Sequence, residues 1–177
     1  MAKKTYTGAG KISASDFRYI KIVGKTRGGA AVSIELPRAI CTSNPDWSFT
    51  EKDEVVPQLV FEGVYQDVAL ASGDRTEPWK LTIDGEVTAG NGEIITGAAK
   101  VYVGTSADDA TVAALSRGGC QFVVERNLRP INADDDPGYV EGRVDYEEAK
   151  PILTVNLLQW LSKVDHLYAG IKPAEEG

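Results

Sequence analysis

The chain has 177 residues, with 26 acidic against 19 basic side chains and a formal charge of −7. A chain of this length buries about 70% of its unfolded surface, so one self-supporting core needs no disulfide or metal staple. With 42% apolar and 25% charged residues, 18 Gly and two Cys, the composition excludes collagen, low-complexity polymer, disulfide scaffold and a wholly disordered chain. The acidic balance also weighs against a tight duplex-DNA reader, which needs a basic face.

Residues 1–18 read as a flexible, basic N-terminal arm without the apolar segment of a secretory signal. A single β-sandwich domain is expected over 19–170, and 171–177 read as a C-terminal tail. Tyr19 to Val23 and Ala31 to Leu36 alternate with period two and are rich in β-branched and aromatic residues. Gly28-Gly29 between them predicts a hairpin turn. Gln58 to Tyr65 is a third strand, with Pro57 tolerable at its start because a first residue can lack a donor. Trp79 to Ile83, Lys100 to Val103, Cys120 to Glu125, Tyr139 to Arg143 and Ile152 to Trp160 bring the set to about eight.

Two segments predict short helices. Ser106-Ala-Asp-Asp109 has the form of a capping box, followed by Ala110 to Ser116 and closed by Gly118-Gly119. At the other end Leu157, Trp160, Leu161, Val164, Leu167 and Tyr168 share one helical face, while Pro151 to Leu157 also runs well as a strand. The preferred reading is a strand to Trp160 and a short helix from Ser162 to Gly170. Residues 84–98, holding several Gly, form a long loop or a linker between two halves. The fold class is therefore mainly β, a sandwich or barrel of about eight strands with one or two short helices.

Motifs for chemistry are incomplete. His166 is the single imidazole, in an amphipathic segment with no nucleophile elbow before it. Gly8-Ala-Gly-Lys11 lacks the first Gly and the final Ser/Thr of a phosphate loop, since position 5 is Thr and position 12 is Ile. Asn132-Ala-Asp-Asp-Asp136 begins like a calcium loop, but Pro137 occupies the turn position and Arg143 the place of the bidentate Glu. Cys41 and Cys120 have neither metal nor redox spacing. Trp47, Trp79 and Trp160 are expected in core packing; a stacking platform needs all of them on one exposed face. The most apolar run, Pro151 to Leu161, is too short and too interrupted to span a membrane. No catalytic, metal or cofactor residue is assigned, and an interaction or assembly protein is expected in place of an enzyme.

Charge is unevenly placed. Residues 1–38 carry eight basic and two acidic groups, net +6, which leaves eleven basic and twenty-four acidic groups, net −13, in the rest. A basic end on an acidic body suits self-association.

Glu35-Leu-Pro-Arg-Ala-Ile-Cys-Thr-Ser-Asn-Pro-Asp-Trp-Ser-Phe49, with Glu51-Lys-Asp-Glu-Val-Val-Pro57 and Val60-Phe-Glu-Gly-Val-Tyr65, resembles the tail tube (major tail) proteins of long-tailed bacteriophages. So does the run from Gly118-Gly-Cys-Gln-Phe-Val-Val-Glu125 through Gly138 to Gly142 and on to Pro151-Ile-Leu-Thr-Val-Asn-Leu-Leu158. In that family the part like 99–170 precedes the part like 19–83, so the resemblance implies a permuted order, with 84–98 bridging the old ends.

The resemblance implies a structural virion protein: a β-sandwich with a flanking helix that forms hexameric rings, stacked into a tail tube. It would assemble in the host cytoplasm, contact other tail proteins, bind no membrane, and conduct double-stranded DNA through an acidic lumen without holding it. Under this reading Lys3, Lys4, Lys11, Arg18, Lys25 and Arg27, or the 84–98 loop, would bridge rings by lying on acidic neighbours. Asp134, Asp135 and Asp136 with Glu147 and Glu148 would receive them or line the lumen. A capsid decoration or tail-terminator protein shares most of this logic. A carbohydrate-binding β-sandwich rests on the Trp residues, and a paired-carboxylate hydrolase on the many acids.

Overall fold

The computed structural model describes residues 6–8, 10–45, 56–66, 76–85, 99–131, 144–159 and 167–173. In chain order these form β1 (Tyr6–Gly8), a 3-10 turn (Ala14–Asp16), β2 (Arg18–Lys25), β3 (Ala31–Cys41), β4 (Gln58–Gly63), β5 (Lys80–Asp84), β6 (Lys100–Gly104), β7 (Thr111–Pro130), β8 (Val144–Gln159) and β9 (Ile171–Pro173).

Period-two alternation puts one face of each central strand indoors. Ile20 and Ile22 of β2, Leu36 of β3, Leu59 and Phe61 of β4, Val101 and Val103 of β6, and Leu153, Val155 and Leu157 of β8 form one buried cluster. Burying a side chain of this kind contributes about 1.5–3 kcal/mol, so this shared face is what the sheet closes around. The strand order is β2-β6-β7-β8-β4-β3, and β3 pairs back onto β2. Every pairing is antiparallel, and the β2–β3 pairing joins the ends of this order, so these six strands form a closed ring. The mainly β expectation holds, and of sandwich and barrel it is the barrel that the pairings describe.

β3 serves two neighbours on its second side. Ala39 to Cys41 pair with β4, whereas Ala31 to Glu35 pair with β5, which lies outside the ring and has no second partner among the described residues. The predicted first hairpin is present: β2 and β3 pair from Arg18↔Ala39 to Lys25↔Ala31, and Gly29 turns with φ +94°. The segments read as N- and C-terminal arms meet each other, β1 pairing with β9 from Tyr6↔Pro173 to Gly8↔Ile171.

The helix expected after Ser106 is corrected. Residues 105–109 form a turn and Thr111–Pro130 is one long strand. The local signals exist in another context. The Ser106 N–H donates to Asp109 Oδ1 at 2.7 Å, as a capping box would have it. Gly118 and Gly119 do take positive φ, +89° and +106°, but at a bulge in β7, where the register shifts between Ser116 and Cys120. A helix of so few residues has little stability of its own, and pairing of Val103 to Lys100 with Thr111 to Leu115 prevails.

The helix expected over Ser162–Gly170 lies outside the described residues up to His166; Leu167 and Tyr168 are buried in the core cluster, and Gly170 turns with φ +70°. The strand expected over Tyr139 to Arg143 and the 86–98 part of the central loop also lie outside them.

Candidate assembly surface

β7 and β8 are much longer than their predicted segments, and the excess leaves the barrel. β6 accompanies β7 along Thr111 to Leu115, and β4 accompanies β8 along Ile152 to Asn156. Beyond these limits the two strands have only each other, from Val124↔Pro151 to Pro130↔Val144. At about 3.3 Å per residue this arm projects roughly 20 Å. Past the Gly118-Gly119 bulge, no described strand lies on the other side of β7, which leaves an open edge of backbone donors and acceptors.

The arm has an amphipathic surface. Val123, Leu128 and Ile131 are 40%, 46% and 56% exposed. Polar groups pair across the strands: Arg129 lies 3.2 Å from Asp145 and 3.3 Å from Glu147, whose second oxygen accepts from the Asn127 amide at 3.1 Å. Such exposed pairs contribute about 0–1 kcal/mol each, so their main effect is on the charge pattern of the arm. Among the described residues β5 has β3 as its one partner, with Leu81 49% and Ile83 52% exposed. Exposed apolar residues on unpaired strand edges are what a monomer suppresses and an assembling subunit uses.

Arg18 and Lys25 stand at opposite ends of β2, roughly 23 Å apart at the strand rise. Arg27 is exposed in the β2–β3 turn near Lys25, and Lys11 is exposed between β1 and the 3-10 turn. Arg18 therefore lies at the far end of β2 from Lys25 and Arg27. Glu147 and Glu148 lie on the arm, with Glu147 already paired to the arm's own Arg129. Lys3, Lys4, Asp134, Asp135 and Asp136 lie outside the described residues, as do Trp47, Trp160 and His166. Trp79 packs partly buried against the core and Phe122, and its indole N–H donates to Glu77.

Lys25 and Lys100 both line a cleft of about 410 Å³ formed by β2, β6 and β7. Val23, Tyr102 and Leu115 are among its apolar lining residues. No motif announces this cleft, since its residues come from three strands.

Among the described residues no three His, Cys, Asp or Glu side chains are grouped to hold a metal ion, and no helix is long and apolar enough to cross a membrane. Asp109 is held down to about 2, first by the Thr105 hydroxyl and then by the Ser106 N–H, so it is a poor proton donor at neutral pH. The Glu35 carboxyl is pushed up by burial, but Lys21 and the Tyr19 hydroxyl outweigh that and hold it below its ordinary value. Burial raises both thiols, with Cys41 buried and Cys120 exposed on β7.

Sequence reasoning missed Glu77, Arg126 and Tyr146, which meet on the arm, and Asp16, which is buried at the 3-10 turn. Comparisons with protein-family models, curated proteins and solved structures find no match for this chain.

Proposed function

We propose that this chain is a structural virion protein of the tail-tube kind, a subunit that assembles with copies of itself into stacked hexameric rings enclosing a DNA-conducting lumen. The observation that carries this reading is the β7–β8 arm. It leaves the barrel with no further described strand beside either β7 or β8, and with exposed Val123, Leu128 and Ile131. Among the described residues β5 also has a single neighbour, so the subunit offers unlike edges at the arm and at β5. Contacts between unlike surfaces run head to tail, and such contacts close into rings or extend into filaments.

The charge balance supports the same reading. A net charge of −7 keeps duplex DNA from adhering, since a wall making many phosphate contacts would retain it. The acids proposed for the wall are Asp134, Asp135, Asp136, Glu147 and Glu148, and the basic 1–38 segment is proposed to reach the next subunit. DNA, copies of this chain and other tail proteins are then the partners, with no enzymatic step.

Electron microscopy of purified protein tests the proposal. Open-ended tubes support it, whereas isolated rings favour a tail terminator and stable monomers a decoration protein. Exchanging Asp134, Asp135 and Asp136 for Lys should leave tubes intact while impairing DNA ejection; unimpaired ejection would refute the lumen assignment.

A further inference from the structure

A two-stranded ribbon standing free in water is marginally stable at best. The arm beyond Ile152 is such a ribbon, yet the segment entering β5 reaches across to it. Glu77 Oε1 accepts the Tyr146 hydroxyl of β8 at 3.0 Å and lies 3.4 Å from Arg126 Nη2 of β7. Its other oxygen accepts the Trp79 indole N–H, and the Trp79 ring packs at 58° on Phe122 of β7, with centroids 5.5 Å apart. One carboxylate thus ties both strands of the arm to the residues that lead into β5.

The contacts differ in weight. Arg126 is half exposed, so its ion pair alone contributes little. The Tyr146–Glu77 bond joins a neutral donor to a charged acceptor, the stronger kind. Tyr146 is pushed up to about 12, first by burial and then by this bond, in keeping with a hydroxyl that stays a donor. Ala149, on the same stretch of β8, is buried.

We infer that Glu77 is the positioning residue of the arm: it locks the β7–β8 ribbon against the barrel and sets it at a fixed angle to the β5 edge. In the assembly reading, on which this functional meaning rests, Glu77 determines how the two docking edges are presented to neighbouring copies. An arm that swings would meet neighbours at many angles, and a docking interface loses affinity for every degree of freedom it must first freeze.

Amide hydrogen exchange on dilute monomer tests the inference. Glu77→Ala is expected to speed exchange at residues 124–130 and 145–150 by about tenfold or more, as loss of a charged hydrogen bond allows. Amides of Ile20, Val101 and Leu153 in the barrel should keep their rates. Tyr146→Phe, which removes a single hydroxyl, should act on the same amides, and Glu77→Gln should restore part of the protection. Unchanged arm exchange in Glu77→Ala and Tyr146→Phe, or equal acceleration across arm and barrel, would overturn the inference. If Glu77→Ala does not fold, Tyr146→Phe and Glu77→Gln carry the comparison. Failure of the wild type to form rings or tubes would strike the assembly reading alone, because the exchange measurement needs no assembly.

Discussion

The Gly170 N–H donates to Asp16 Oδ1 at 2.9 Å, joining the turn before β2 to the turn before β9 across 154 positions of sequence. The other Asp16 oxygen accepts the Ser13 N–H at 2.6 Å and the Ser13 hydroxyl at 2.8 Å. A buried carboxylate with this many donors holds both terminal segments on the barrel, and β1 and β9 pair beside it. Asp16→Ala leaves the Gly170 and Ser13 donors without their acceptor and should cost about 1–3 kcal/mol. Urea denaturation checks this: a lowered midpoint with unchanged slope is expected. Asp16→Asn keeps one acceptor oxygen and should lose less.

A second prediction concerns pH. Glu35 accepts from Lys21 at 2.8 Å and from Tyr19, and its carboxyl lies below the ordinary value. A depressed carboxyl stabilises the fold above its unfolded pKa of about 4.3, and that contribution disappears as pH falls through the folded value. Tyr19 runs the opposite way. Burial and then Glu35 raise its hydroxyl, so its contribution is complete below about pH 10 and is lost as pH rises further. Thermal melts across pH should show Glu35→Gln flattening the acid limb of the wild-type curve. Parallel acid limbs would contradict the assignment.

Asp109 offers a direct titration. Thr105 and Ser106 surround its exposed carboxylate with hydroxyl and backbone donors, which hold it at about 2. NMR titration of this side chain should give a midpoint near that value, and Thr105→Val should raise it. A midpoint at the ordinary carboxylate value would mean that this turn does not form.

Gly63 marks a close approach beneath the arm. A Cβ built there would stand 2.6 Å from Pro151 Cγ, 3.1 Å from the Pro78 carbonyl and 3.3 Å from Leu36. Gly63→Ala should therefore cost about 1–3 kcal/mol through overpacking, measurable as a lowered urea midpoint. Two of the three contacts involve proline rings or backbone, which yield little.

Much of the barrel was legible because its strands alternate. Ile20, Ile22, Val101 and Val103 point inward at every second residue, and Gly28-Gly29 sits where the hairpin turns. The expected helix failed for a physical reason. A serine followed by an acid three residues on, and a glycine pair with positive φ, belong to helix ends, to turns and to bulges alike. Only the partner strand β6 decides among them, and β6 pairing is a long-range fact. The outer half of the β7–β8 arm was hidden because it has no core to face; Arg126, Asn127, Arg129, Asp145 and Glu147 give it no apolar alternation. Glu147 could be singled out as an acid in an acidic stretch, but not its pairing with Arg129. The Tyr146–Glu77 bond spans 69 positions and leaves no local trace.

In the proposed assembly the β7 edge of the arm docks on another copy of this chain. Electron microscopy of a Val123→Lys, Leu128→Lys double variant, beside wild type at equal concentration and salt, tests it most directly, because lysines on an exposed edge block strand addition without touching the core. Wild type is expected to form tubes or rings, and the variant dispersed, folded monomers. Assemblies that form equally well from both proteins would contradict it.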